Sequence, residues 1–181
     1  MSVTPTAALP GLGDRSAVVS PCGTYRYELR RQWAKGLVCT WIMLNPSVAD
    51  SEIDDPTIRR CAGFARRWGY SAITVRNLFA LRATDPRALR HHPDPVGPDN
   101  DWWLTAPASP GLTVCAWGTH GALRDRAACV VAVLTRRGAP LHCLALTAQG
   151  HPRHPLYLHG ALRPRPYPNH DPEGDPEGDP R

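Results

Sequence analysis

The 181-residue sequence has a single lysine, Lys35, and lacks Cys-x-x-Cys pairs, His-x-x-x-His pairs and glycine-rich phosphate loops. Each absence removes a class of function. The six cysteines, Cys22, Cys39, Cys61, Cys115, Cys129 and Cys143, stand apart, most of them inside apolar runs such as Leu112 to Ala116. They read as buried free thiols and not as metal or cluster ligands. His120, His151 and His154 have no carboxylate or cysteine beside them at a recognisable ligand spacing, so no metal is expected. Without a P-loop or a dinucleotide turn, no cofactor is expected either. No apolar run is long enough to span a membrane, and Met1 to Pro10 has no basic region followed by an apolar stretch. A cytoplasmic location is the expectation.

What is present is arginine. The formal charge is +5, but the segment from Asp171 to Arg181 carries five carboxylates against one arginine. The remainder, Met1 to His170, is therefore +9, with Lys35 its one lysine. Arginine forks suit phosphates and base edges, and a basic domain of this kind favours a polyanion, nucleic acid first. A genome that replaces lysine with arginine everywhere also accounts for the bias, but not for the net charge.

Apolar residues make up 42% of the chain and charged residues 20%, which suits one globular domain with a full core. Residues 1–22 are punctuated by proline and glycine and read as a loose arm. From Thr24 to Trp33 apolar and charged residues alternate, the period of a half-exposed strand. After a turn at Ala34-Lys35-Gly36, Leu37 to Leu44 is almost continuously apolar, as a strand covered on both faces requires. Asp55-Pro56 starts a helix. Its apolar positions Ile58, Cys61, Ala62, Ala65 and Trp68 keep helical spacing until Gly69. Strands are expected again over Ala72 to Leu78, Leu112 to Trp117 and Leu141 to Leu146. Shorter helices are expected after Thr84-Asp85-Pro86 and over Pro98 to Ala106, and a long one over Ala122 to Arg137. This alternation predicts an α/β three-layer sandwich around a four-stranded parallel sheet, plus an N-terminal β-hairpin strand. The domain is placed at 23–168, followed by a disordered acidic tail at 169–181.

Ligands bind beyond the carboxyl ends of parallel strands. Four segments stand there: Asn45-Pro46-Ser47, Arg76-Asn77-Leu78-Phe79, Trp117-Gly118-Thr119-His120-Gly121 and Gly150 to Tyr157. Taken singly, Asn-Pro-Ser is commonly a turn in which Asn caps its own backbone, and Trp-Gly is commonly packing. His151-Pro152-Arg153-His154-Pro155 is poor material for a core. Four such segments on one edge read as one site. Ser47 lacks the strand–turn–helix elbow of a serine nucleophile.

In this order the motifs resemble the uracil-DNA glycosylase superfamily over about Leu37 to Tyr157. Leu44-Asn45-Pro46-Ser47 is similar to its first motif, an Asp-Pro or Asn-Pro pair. Asn77 matches the Asn that reads the base edge, Trp117-Gly118 the end of the third strand, and His151 to Leu156 a His-Pro-x-Pro-Leu motif with one extra residue. More closely, Leu44 to Ala49, Asp54 to Arg60, Asn77 to Phe79 and Gly150 to Tyr157 resemble an uncharacterised bacterial family, domain of unknown function 1643.

The resemblance implies a DNA glycosylase-like enzyme that hydrolyses the N-glycosidic bond of a modified base in DNA, after extruding the nucleotide. Such an activity suits repair of modified bases or genome defence, against phage for instance. Asn45 would position the attacking water, and Asn77 would pair with the base edge. His151 or His154 would donate to the departing base. Pro46, Ser47, Trp117, Gly118 and His120 would form the base pocket. Arg59, Arg60 and Arg153 would hold nucleic acid, with Leu156 wedged into the vacated stack. Ser47 stands where the superfamily has Tyr or Gly, and Met43-Leu44 replaces a preceding Gly. These departures point away from uracil, toward a larger modified base or a free nucleoside derivative. Two other readings stay open: a non-catalytic domain that binds a nucleotide or nucleic acid, and an N-glycoside hydrolase for small nucleosides.

Overall fold

The computed structural model describes residues 14–47, 54–106 and 110–168. They form a mixed α/β fold around one seven-stranded sheet. The strands are β1 (Arg15–Val19), β2 (Arg26–Gln32), β3 (Val38–Met43), β4 (Ala72–Asn77), β5 (Gly111–Cys115), β6 (Leu141–Cys143) and β7 (Arg165–Pro166). The helices are α1 (Pro56–Arg67), α2 (Ala88–His91), α3 (Asn100–Thr105) and α4 (Arg126–Arg136). Strand order across the sheet is β1-β2-β4-β3-β5-β6-β7. β3 lies parallel to both β4 and β5, and β6 continues parallel to β5. The β1–β2, β2–β4 and β6–β7 pairs are antiparallel.

Every residue of β3 and of β4 is buried, as the unbroken apolar run in β3 requires of a strand covered on both faces. Alternation sends successive side chains of β3 to opposite faces. Cys39, Trp41 and Met43 pack with Ile58, Cys61, Phe64 and Ala65 of α1. Ile42 and Leu44 face Leu104 of α3 and Ala127, Val130 and Leu134 of α4. α1 begins as its sequence dictates, with the Asp55 side chain accepting from the Ile58 amide and Pro56 in the first turn. Gly69, at φ 85°, takes the left-handed conformation that ends it.

The sheet is wider than the four parallel strands and one hairpin strand expected. β1 lies inside the segment read as a loose arm, so the arm boundary at Cys22 is corrected. Arg15 and Ser16 are exposed and Ala17 to Val19 half-buried, so this strand carries no alternating signal and is held by its pairing with β2. The edge strand β7 has two residues, one of them proline, which fits an edge. The long helix begins at Arg126 and not at Ala122. Arg124 and Asp125 adopt φ of 55° and 53°, left-handed geometry that no helix continues through. Short 3-10 turns within Thr119–Asp125, interrupted by a kink at Leu123 and Arg124, fill the gap. β6 stops at Cys143, because Leu146 bridges instead to Pro152. Residues 1–13 of the expected arm and the expected acidic tail at 169–181 lie outside the described residues. Among the described residues no helix is long and apolar enough to cross a membrane.

Phe64 is fully buried against the rings of Trp41 and Trp68. Phe64→Ala is expected to cost about 3–5 kcal/mol in urea unfolding. Trp102→Ala, at a side chain 65% exposed, should stay within about 0.5 kcal/mol.

Candidate functional site

The chain runs from β3 to β4 on one side and later returns to place β5 on the other side of β3. That reversal leaves a crevice beyond the carboxyl ends of β3 and β5, the place where open α/β sheets bind ligands. A cavity of about 330 Å³ opens there. Its walls include Asn45, Ser47, Asn77, Trp117, Gly118, His120 and His154. All four strand-end segments read from the sequence are thus represented in one cavity. Met43, Val75 and Ile58 supply apolar wall.

Hydrogen bonds to the backbone fix the two asparagines. Asn45 Nδ2 donates to the carbonyls of Pro46, at 3.0 Å, and Ala83, at 2.8 Å. The Ala83 amide returns a bond to the Pro46 carbonyl at 2.9 Å. The Asn45 amide nitrogen is therefore committed, and Oδ1 is the group it has left to offer. Asn77 ends β4, 2% exposed. Its own carbonyl and that of Leu78 each accept from Asn100 Nδ2 at 3.0 Å, and Arg126 Nε donates to the Leu78 carbonyl at 2.8 Å. The backbone at Asn77 is thus pinned, while its side-chain Nδ2 is buried with no partner among the described residues. A buried donor without an acceptor is costly, and Asn77 is one of the residues that line the cavity.

The third and fourth strand ends are tied to each other. Gly118, at φ 70°, donates its amide to the Pro152 carbonyl at 2.8 Å. Trp117 is buried, edge-on to Tyr167, and a Cβ at Gly121 would stand 2.1 Å from its Cδ1. The glycine at 121 is what lets the ring lie there. His154 Nδ1 accepts from the Leu156 amide at 3.4 Å, which leaves the proton of the neutral ring on Nε2. Burial lowers the His154 pKa below its usual value, and the nearby Asp55 charge partly offsets this. Asp55 also lines the cavity. Its Oδ1 accepts from the Ile58 amide at 2.8 Å and its Oδ2 from the Ser47 hydroxyl.

A family model described as Protein of unknown function (DUF1643) matches residues 26–156. The chain belongs to this family. Its span runs from Arg26 to Leu156 and so contains every residue of the cavity wall. No curated protein and no solved structure matches the chain.

Several expected site residues stand apart from the DUF1643 cavity wall. His151 is half-buried, its amide bonded to Thr147 Oγ1 at 3.1 Å, and His154 is the imidazole in the wall. Pro46 is buried behind the turn. Arg59 is exposed and donates to the Asp54 carbonyl. Arg60 donates to the Leu158 carbonyl and lies 5.0 Å over the Phe64 ring, so it holds α1 to the 3-10 turn Pro155–Tyr157. Arg153 is exposed and Leu156 half-buried on that turn. Sequence reading missed Arg26, Thr57, Thr84 and Thr119 in the wall and Asn100 behind it. It treated Asp55 as a helix cap alone. No group of three His, Cys, Asp or Glu among the described residues is placed to hold a metal.

An NMR titration should place the His154 midpoint below 6.5, and Asp55→Asn should lower it further. Because the folded state holds this proton less tightly than the unfolded chain, His154 weakens the fold as pH drops from 6.5 through its lowered midpoint. A midpoint that rises in Asp55→Asn would contradict the assignment.

Proposed function

We propose that this DUF1643 chain is a glycosylase-type hydrolase of the cytoplasm, which takes one modified base of DNA into the cavity and hydrolyses its N-glycosidic bond. The reading rests on the uracil-DNA glycosylase-like order of the motifs, and one observation carries it. Asn77, whose Nδ2 is buried and unpartnered among the described residues, stands in a cavity wall shared with Asn45 and His154. At about 330 Å³ the cavity is at the small end of ligand pockets, a size suited to a base with its sugar.

In this mechanism Asn77 bonds an acceptor on the base edge. The C1′–N bond breaks with its electron pair moving to the base, and the sugar gains oxocarbenium character. Neutral His154 donates an Nε2–H hydrogen bond to the negative charge that develops on the departing base and keeps its proton, a role that a lowered pKa favours by keeping the ring neutral. Asn45 Oδ1 accepts a hydrogen bond from the attacking water. The +9 charge outside the acidic terminal segment draws the polyanion.

A free nucleoside is the second reading. It is favoured by Arg60, which is engaged within the fold, and by Leu156, which stands off the cavity wall. Oligonucleotides carrying varied modified bases, incubated with the protein and treated with alkali, separate the readings. Strand breaks are expected with wild type and are lost in Asn45→Ala and Asn77→Ala. His154→Ala should slow cleavage by about 10²–10³-fold, and His151→Ala should leave it near wild type. Nucleoside turnover without salt-sensitive DNA binding selects the second reading, and binding without turnover of either substrate rejects both.

A further inference from the structure

Asp54 and Asp55 are neighbours with opposite fates. Asp54 is neutralised by two arginines, Arg15 of β1 and Arg31 of β2, the latter at 2.7 Å. It fastens the start of α1 to the sheet edge. Asp55 forms no ion pair among the described residues. Its two oxygens accept from neutral donors, the Ile58 amide and the Ser47 hydroxyl, which hold the carboxylate in one orientation on the cavity wall. Its charge nevertheless reaches His154. Asp55 is thus a half-buried carboxylate with no ion pair among the described residues, in a wall that it shares with Arg26, Asn77 and His154.

We infer that Asp55 is a catalytic residue of this site, the carboxylate that faces the sugar cation. The inference rests on the glycosylase reading and deepens it. Asn45 is an amide and brings no charge to the cation, so in this wall a carboxylate has to come from another residue. The start of α1 delivers one. As the C1′–N bond breaks, Asp55 stabilises the developing positive charge on the sugar. The water held by Asn45 then bonds to C1′, and its surplus proton passes to Asp55 and on to solvent. His154 keeps its proton, the departing base anion takes one from solvent in place of the one that Asp55 passes on, and the products are the free base and the hydrated sugar. Ser47 is a positioning residue here, because its hydroxyl aims the carboxylate.

Asp55→Asn tests this, since Asn caps a helix as well as Asp does and removes only the charge. The probes are two oligonucleotides, one with a cationic pyrrolidine in place of the target sugar and one with neutral tetrahydrofuran. Wild type should bind the pyrrolidine strand about 10²-fold more tightly, as a mimic of the transition state. Asp55→Asn should bind the two alike, with an unchanged melting temperature. Asn45→Ala should keep the preference for the cation while losing turnover. A preference that survives in Asp55→Asn overturns the assignment. Equal binding of the two strands by wild type also overturns it, with the glycosylase reading left intact. Failure of wild type to bind either strand overturns both.

Discussion

The structure depends on one strand being buried on both faces. β3 has no residue facing water, and it is paired in parallel on both edges, with β4 and β5. Parallel neighbours require crossover connections, so helices must cover the sheet on each side, and α1 on one face and α3 and α4 on the other do so. The same pairing puts the carboxyl ends of β3, β4 and β5 on one edge. The crevice where β3 and β5 diverge follows from that order and not from any special residue. The chemistry then depends on what the chain places after each strand.

The site is held by backbone bonds more than by side-chain packing. Asn100 and Arg126 grip the carbonyls at the end of β4, the Ala83 segment grips the Asn45-Pro46 turn, and Gly118 is tied to Pro152. These bonds satisfy groups that lie beyond the sheet's ladder, where burial without a partner is costly. They also fix the backbone that carries both asparagines into the cavity wall. Asp55 extends the pattern. One oxygen starts a helix and the other is held by Ser47, so the residue that begins α1 also shapes the cavity.

The family assignment and the geometry support each other in a limited way. The matched span contains the whole cavity wall, so the wall belongs to the part of the chain that defines DUF1643. The activity remains the proposal that the asparagine and histidine chemistry supports best. Arg60 shows that an arginine in a basic domain need not be a ligand contact. Its guanidinium lies over Phe64 and on the Leu158 carbonyl, as arginine stems and forks serve packing as readily as phosphates.

Periodicity and local chemistry were enough, from sequence, for β2, β3, α1, β4 and β5, because each carries a hydrophobic period that only one geometry buries. They were also enough for the strand-end motifs, since side chains such as Asn45, Asn77 and His154 have no place in a core without partners. The sequence could not reveal β1, whose five residues form a strand only because β2 offers an edge. Nor could it reveal the left-handed step at Arg124 and Asp125 that shortens α4. Tertiary structure alone shows that His154 and not His151 lines the cavity, because two imidazoles three residues apart are told apart only by which one the folded loop turns into the wall. It alone separated Asp54 from Asp55, since adjacent carboxylates differ in the partners that distant strands bring to them.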